Sequence, residues 1–286
     1  MPIQTYLPQA YGFQAPSQDE RTRFRTTVDE IPALAGTLAQ LELLLNAPSV
    51  DLEAVVRLVR SDLGLSIQTL RQSRFEAAAS EQPWRISDCV IYLGSRMLDV
   101  VQPLRCGVGD RRLAYAKAEA FWKHARLVGC VSERTATYFQ ELGIDPEQAY
   151  LAGLMHNLRR LPDVLASVGS ASIRGSFRAK DWVSDCNLPS FINDILEFTK
   201  DDCHLTEDSP LSRVVSFSKR WIDLCLPWSD TCMARRSRFK MPLLKLFTLA
   251  YTYFPDADVD PFMPLMEILK ECTLEQLEGN FGDSFR

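Results

Sequence analysis

The sequence predicts an all-α protein. Four leucines repeat at i, i+4, i+7 and i+11 between Leu34 and Leu45, which is the apolar stripe of an amphipathic helix. Residues typical of helix boundaries are also present. Gly143 suits the residue in left-handed conformation that ends many α-helices, and Asp145-Pro146 suits the start of the next helix. No segment combines strict apolar–polar alternation with turn residues, as a strand would. We therefore expect helices throughout the chain, joined by short connections.

The N-terminal part divides into an arm and a helical subdomain. Residues 1–20 contain three prolines and no helical periodicity, so we expect an irregular arm. Residues 21–110 are predicted to form an N-terminal helical subdomain of short helices. Within it, we expect Asp51 to cap the second helix, Ser61-Asp62 to open the third, and Ser87 to cap the fourth.

The C-terminal part begins at a glycine-containing, charged segment, residues 106–115, which is the expected internal boundary. A second helical subdomain is predicted for residues 111–235, followed by a C-terminal helical extension in residues 236–286. The second subdomain is expected to open with two successive long helices, over about 116–142 and about 146–161.

Composition and motifs limit the function. The net charge of −5 argues against an extended nucleic-acid surface. The N-terminus shows no signal peptide, and Lys245 interrupts the longest apolar run, which is too short to cross a bilayer. Eight scattered cysteines without a C-x-x-C pair are interpreted as reduced thiols, and the glycine-rich dinucleotide and P-loop motifs are absent. We expect a soluble, cytoplasmic protein without a membrane partner, metal or cofactor.

One stretch, Phe121–Arg160, holds two of the three histidines of the chain, His124 and His156, on two successive predicted helices. A histidine on one helix and a His–acid pair on the next is how some helical enzymes hold a catalytic metal. Here Asn157 follows the second histidine, where such a pair requires an acid.

Several segments together carry a family resemblance. They are FWKHA and LAGLMHNLRRL around the two histidines, and IPALAGTLAQLELLLN, VVRLVRSDLGLSIQTLRQS and ISDCVIYLGSRMLDVV upstream of them. In order and spacing, the stretch from Ile31 to Leu226 resembles the HDOD family of bacterial signalling proteins, which have an HD-superfamily helical fold. The resemblance implies one HDOD-like unit, with an N-terminal helical bundle packed on an HD-like half at residues 111–235.

The resemblance also implies a degenerate site. Catalytic HD enzymes use a histidine, a His–Asp pair and a later aspartate; His124 and His156 match the histidines, whereas Asn157 and Lys219 stand where the two acids belong. Losing two carboxylates removes the negative charge that balances a divalent metal. The expected function is therefore non-enzymatic: a bacterial signal-transduction or regulatory protein that contacts signalling proteins in trans.

Other interpretations stay open. A residual metal-dependent phosphohydrolase or phosphodiesterase would use the two histidines with an aspartate such as Asp223. A metal-free binder of an anionic nucleotide would use Lys219, and Arg159 and Arg160 are possible anion contacts. Simple packing also explains the site, with His124 as a core residue and Asn157 hydrogen-bonded to a neighbouring helix.

Overall fold

The computed structural model describes residues 33–77, 83–97, 112–161, 183–198, 209–226, 240–255 and 262–278, together with Val100 and Val164. Within these residues the regular structure is helical and contains no strand, which confirms the all-α prediction. None of the described helices is both long enough and apolar enough to cross a membrane. In chain order the α-helices are α1 (Ala35–Leu45), α2 (Leu52–Arg60), α3 (Leu63–Glu76), α4 (Ile86–Leu93), α5 (Arg112–Tyr138), α6 (Pro146–Met155), α7 (Phe191–Phe198), α8 (Pro210–Cys225), α9 (Leu243–Tyr253) and α10 (Phe262–Glu278).

Side-chain caps begin several of these helices. The carboxylates of Asp51 and Asp62 accept hydrogen bonds from backbone amides in the first turns of α2 and α3, and the hydroxyl of Ser209 does so in α8. The prediction for Ser87 is wrong, because α4 already begins at Ile86 and the Ser87 hydroxyl contacts a neighbouring carboxylate instead.

Helix α5 ends at Tyr138, before the predicted end near residue 142, and a short 3₁₀ turn, Gln140–Leu142, follows it. The two residues predicted to bound the connection between α5 and α6 match their sequence patterns. Gly143 adopts φ +64°, the left-handed conformation that glycine adopts without strain, and Asp145 caps α6. However, α6 ends at Met155, six residues before the predicted end near Leu161. His156 and Asn157 form a turn there, and a short 3₁₀ turn follows.

Two clusters of buried apolar side chains meet at α5 and α6. The first joins α1–α4 and α7 to the N-terminal half of α5, and the second joins α8–α10 to its C-terminal half. Helix α6 contributes to both clusters. The helix pair α5–α6 is therefore the part of the structure on which the two cores depend. The predicted arm at 1–20 and most of the boundary segment 106–115 lie outside the described residues, and the subdomain limits remain predictions.

Two glycines allow α5 and α6 to approach closely. A Cβ atom added to Gly153 on α6 would lie 2.8 Å from the Cα of Gly129 on α5 and 2.9 Å from the carbonyl oxygen of Val128. A Cβ atom on Gly129 would in turn lie 3.0 Å from the carbonyl oxygen of Tyr150. The backbones are in direct contact at this crossing, so a larger side chain at Gly153 has no space.

A buried carboxylate connects three helices. Asp62 is fully buried; its Oδ2 accepts a hydrogen bond from the backbone N–H of Leu34 at 2.7 Å, while Oδ1 accepts from Leu65 N–H at 3.1 Å and from Trp122 Nε1–H at 3.2 Å. Burial raises the pKa of Asp62 to about 6, although the hydrogen bonds work in the opposite direction. The start of α1, the start of α3 and the middle of α5 thus share one acceptor.

A half-buried arginine joins α2 to the α5–α6 pair. Arg60 donates to Glu133 on α5 at 2.8 Å and lies 3.2 Å from the carboxylate of Glu147 on α6. Its guanidinium lies 4.2 Å from the ring centroid of Tyr150, whose hydroxyl donates to the Arg60 carbonyl oxygen. Burial raises the pKa of Glu147 in spite of the nearby arginine. The N-terminal helices are therefore held to the rest of the structure by charge as well as by apolar packing.

Candidate functional site

The two histidines named by the sequence lie side by side. His124 is on α5 and His156 follows the last residue of α6, and their ring centroids are 5.5 Å apart with an interplanar angle of 42°. Both are buried, with exposed fractions of 1% and 0%. The close crossing of α5 and α6 places them together, because Gly129 lies five residues after His124 and Gly153 lies three residues before His156.

An aspartate on α8 contacts the first histidine. Asp223 Oδ1 lies 3.1 Å from His124 Nε2. Because a carboxylate only accepts, this nitrogen carries the proton that is donated. Burial tends to raise the pKa of Asp223, but the hydrogen bond from His124 and the neighbouring positive charge of Lys219 outweigh it, so the pKa is lowered. The Asp223 side chain is 42% exposed, which places an ionised carboxylate at the solvent side of the buried imidazoles.

The second histidine is neutral. His156 Nδ1 lies 2.6 Å from the carbonyl oxygen of Gly153, so Nδ1 is the protonated nitrogen and Nε2 carries a lone pair. Among the described residues no hydrogen-bond partner reaches this buried Nε2 atom. Burial, together with the neighbouring His124 and Lys219, lowers the pKa of His156 to about 3. The side chain thus presents an acceptor, and no charge, to the interior.

The two positions that replace the expected acids lie at the same place in the fold. Asn157 is 9% exposed and directly follows His156, in the turn that ends α6. Lys219 is half-buried on α8, one helical turn before Asp223, and its charge acts on both Asp223 and His156. The structure therefore brings His124, His156 and α8 together, with Asn157 next to His156 in the chain, and we call this group of side chains the histidine crevice. Their role as a degenerate HD-type site remains a proposal.

The arginine pair lies on the short 3₁₀ turn that follows Asn157. Arg159 is half-buried and Arg160 is exposed. No described contact tests their predicted role as anion contacts. The third histidine of the chain, His204, lies outside the described residues.

The donor set suits a metal poorly. In the part of the chain that the structure describes, no three His, Cys, Asp or Glu side chains are grouped so as to hold a metal ion. One carboxylate, that of Asp223, contacts His124, and Lys219 places a positive charge beside it. A hard divalent cation prefers several carboxylate oxygens and gains nothing from an adjacent ammonium group.

The comparisons with known proteins agree with the fold and with the histidine-containing helices. The family model for the HDOD domain matches residues 31–167, a range that includes both His124 and His156. The chain contains an HDOD domain. The predicted resemblance is thus confirmed over the N-terminal helices and α5–α6. A search among curated proteins found no match.

Solved structures extend the likeness beyond the HDOD domain. A crystal structure of the MmoQ response regulator from Methylococcus capsulatus strain Bath superposes with a TM-score of 0.59 at 15% sequence identity, covering 82% of this chain and 97% of that one. A second structure of MmoQ, fragment 20–298, gives a TM-score of 0.54 at 19% identity and covers 82% and 94% of the two chains. An HDOD domain protein from Geobacter sulfurreducens is 16% identical over 91% and 97% of the chains, with a TM-score of 0.37. The MmoQ superpositions show a shared fold.

The family pattern did not predict the contact between His124 and Asp223. The pattern put the later acid at Lys219, whereas the carboxylate that reaches His124 comes from the next turn of the same helix. The available signal was the i, i+4 spacing of Lys219 and Asp223, which places both side chains on one face of α8.

Proposed function

We propose that this HDOD protein is a non-enzymatic regulatory protein of bacterial signal transduction, which acts through contacts with signalling proteins in trans. Its HD-type site, formed by His124, His156, Asn157 and Lys219, is degenerate in this proposal. The observation that carries the proposal is the charge at the crevice: one ionised carboxylate, one ammonium group and a neutral buried imidazole. These charges sum to about zero, which gives a divalent metal little electrostatic stabilisation.

Two further points support the regulatory context. HDOD domains belong to a signalling-related HD-type family, and the MmoQ structures that share the fold are described as a response regulator. The described cysteines, Cys89, Cys130, Cys186, Cys225 and Cys272, are free thiols, as expected for a protein of a reducing compartment such as the cytoplasm. The proposal therefore places the protein in the bacterial cytoplasm.

The test is metal content combined with turnover. Purified protein is dialysed against Mn²⁺ or Zn²⁺, its bound metal is measured by mass spectrometry, and hydrolysis of bis-p-nitrophenyl phosphate is followed with and without Mn²⁺. We expect less than one metal ion in ten chains and no hydrolysis above the rate of a His156→Ala variant. Stoichiometric metal that is lost together with hydrolysis in His156→Ala would exclude a non-enzymatic role.

A second candidate function is a residual metal-dependent phosphohydrolase or phosphodiesterase, which the contact between Asp223 and His124 favours. Here the carboxylate of Asp223 would substitute for the acid missing at Lys219. An Asp223→Asn variant separates this candidate from the first, because it keeps the size of the side chain and removes its charge. Hydrolysis that the variant abolishes would support the enzyme, and equal metal content in both proteins would argue against it.

A metal-free nucleotide site is the remaining candidate, and the charge of Lys219 beside the buried histidines is the observation that favours it. Arg159 and Arg160, on the turn that follows Asn157, are its candidate additional anion contacts. Titration of wild type and Lys219→Ala with ATP and with cyclic di-GMP tests it. Equal affinities of the two proteins would remove Lys219 from any such site.

A further inference from the structure

Two helices from distant parts of the chain pack side by side, α5 from the HDOD domain and α10 from beyond the residues that the family model matches. The Arg126 side chain on α5 donates a hydrogen bond to the side-chain oxygen of Gln276 on α10 at 2.8 Å. The ring of Phe139, directly after α5, lies 6.3 Å from the ring of Phe262, at the start of α10. Later residues of α5 thus meet earlier residues of α10, so the two helices are antiparallel.

The antiparallel register places two thiols opposite each other. Each step forward on α5 corresponds to a step back on α10, so the pair one turn on from Arg126 and Gln276 is Cys130 and Cys272. Both members of this pair are free thiols. The pair lies between the two measured contacts, and the packing on either side of it therefore fixes the position of both cysteines.

The surroundings of the two sulfur atoms agree with this placement. Burial is the main cause that raises the pKa of Cys130 to about 12, and a thiolate at Cys272 contributes to the shift. Burial is also the main cause that raises the pKa of Cys272 to about 11, and the carboxylate of Glu133 contributes at both thiols. Arg134, one turn after Cys130 on α5, donates a hydrogen bond to the Cys272 side chain. Both thiols therefore have the same neighbours on α5.

The two thiols differ in access to solvent. Cys130 is half-buried, whereas Cys272 is 5% exposed. Since few thiolates are present at neutral pH, the pair reacts slowly and responds to sustained rather than brief oxidation. A reaction with a dissolved oxidant therefore begins at Cys130, and Cys272 is the thiol placed to complete it.

We propose that Cys130 and Cys272 are a reversible oxidation site, at which a small-molecule disulfide such as oxidised glutathione introduces a cross-link between α5 and α10. The Cys130 thiolate attacks one sulfur atom of oxidised glutathione and releases the first glutathione thiolate. The Cys272 thiolate then attacks the Cys130 sulfur of this mixed disulfide and releases the second. One protein disulfide forms, oxidised glutathione is reduced to two glutathione molecules, and these take up the two protons that the cysteines lose.

The cross-link would fix the C-terminal helix on the HDOD domain. It closes a loop that contains all of α6–α9, because these helices lie between Cys130 and Cys272 in the chain. A bond that closes a long loop restricts the unfolded chain and stabilises the folded one. The inference goes beyond the proposed function and makes no use of the histidine crevice. The free thiols are the reduced form of the site, as expected in a reducing compartment.

The test locates the bond by peptide mapping. The reduced full chain is incubated under native conditions with an excess of oxidised glutathione, alkylated in denaturant, and digested with trypsin without reduction. Trypsin cleaves after lysine and arginine, so the two cysteines fall in different peptides, 127–134 and 271–286, each with a single cysteine. Mass spectrometry detects these peptides joined, with two hydrogen atoms fewer than their sum. Cys225, a buried free thiol on α8, is the matched control.

We expect the joined peptides to be the main oxidation product at Cys130, and Cys225 to remain a thiol in the same sample. Dithiothreitol is expected to separate the two peptides again. The oxidised wild type is expected to unfold at a temperature at least about 5 °C above that of the reduced wild type. The Cys130→Ala variant is expected to show no such difference, whereas Cys225→Ala is expected to keep it.

Several results would overturn the proposal. A Cys130 that carries glutathione without forming the cross-link would show that Cys272 does not reach it. Joined peptides that form only in urea would show that the two thiols meet in the unfolded chain alone. No reaction of either cysteine under native conditions, or oxidation of Cys225 to the same extent as Cys130, would show that the pair is not a reactive site.

Discussion

Replacing Gly153 by alanine tests whether the contact between α5 and α6 organises this structure. The added Cβ atom would lie 2.8 Å from the Cα of Gly129 and 2.9 Å from the carbonyl oxygen of Val128, whereas ordinary contacts begin at 3.4 Å. The hydroxyl oxygen of Ser132, at 2.7 Å, belongs to a side chain that can rotate, but the two backbone atoms cannot move alone, so the helices must separate by about 0.6 Å. Overpacking of this kind costs about 1–3 kcal/mol, and two backbone clashes place Gly153→Ala near the upper value, about 3 kcal/mol.

The assay is urea unfolding followed by circular dichroism, with Gly36→Ala as the matched control. Gly36 lies in α1, is exposed, and no atom lies within 4 Å of a Cβ atom built on it. The control is therefore expected to stabilise the protein by about 0.5 kcal/mol, because alanine restricts the unfolded chain. If Gly153→Ala changes the free energy of unfolding by less than about 0.5 kcal/mol, the direct backbone contact is not a determinant of stability.

Three further predictions concern buried charge. Asp62→Ala is expected to lower the free energy of unfolding by about 3 kcal/mol or more, because three N–H donors, two of them buried, lose their acceptor. Asp51→Ala, at an exposed cap, is expected to lower it by about 1 kcal/mol, and equal losses in urea unfolding would contradict this reasoning. The folded-state pKa of His156, about 3, lies below the ordinary 6.5, so the unfolded chain binds a proton that the folded chain excludes, and stability is lost as pH falls from 6.5 towards 3. We expect wild type to lose up to about 4 kcal/mol more than His156→Gln across this window, and parallel pH profiles of the two proteins would be inconsistent with a buried neutral imidazole. Arg60→Ala is expected to lower the free energy of unfolding by about 3 kcal/mol, because it leaves two half-buried carboxylates without their cation. Arg57→Ala, whose ion pairs are exposed, is expected to lower it by less than about 0.5 kcal/mol. Similar losses of the two variants in thermal unfolding would contradict this distinction.

Local chemistry explains why much of the fold was predictable. An aspartate before an apolar stripe, as at Asp51 and Asp62, caps the first turn of its own helix. About four consecutive residues are therefore enough to predict where such a helix starts. The same holds for Gly143, which adopts the left-handed conformation that its place after a helix requires. Ser87 shows the limit of such reasoning, because several residues near a helix start are able to cap it and only the backbone course selects one.

Contacts between distant residues were less accessible. His124 and Asp223 are 99 residues apart in sequence, and only the packing of α8 against α5 decides whether Lys219 or the aspartate one turn later reaches the imidazole. The end of α6 was missed for a related reason, because the chain stays apolar beyond Met155 and periodicity continues to favour a helix. The fit between Gly129 and Gly153 likewise depends on the crossing of two helices.

The crossing also bears on what the two histidines mean. His124 and His156 lie beside the glycine contact that joins the two cores, so packing alone places their rings 5.5 Å apart. Their proximity would therefore persist in a protein that binds no metal. The chemistry of the crevice is decided by the groups around the rings: a neutral amide at Asn157, an ammonium at Lys219 and the single carboxylate of Asp223. In the proposed degenerate site, the balance of these three side chains would give a divalent ion little electrostatic stabilisation.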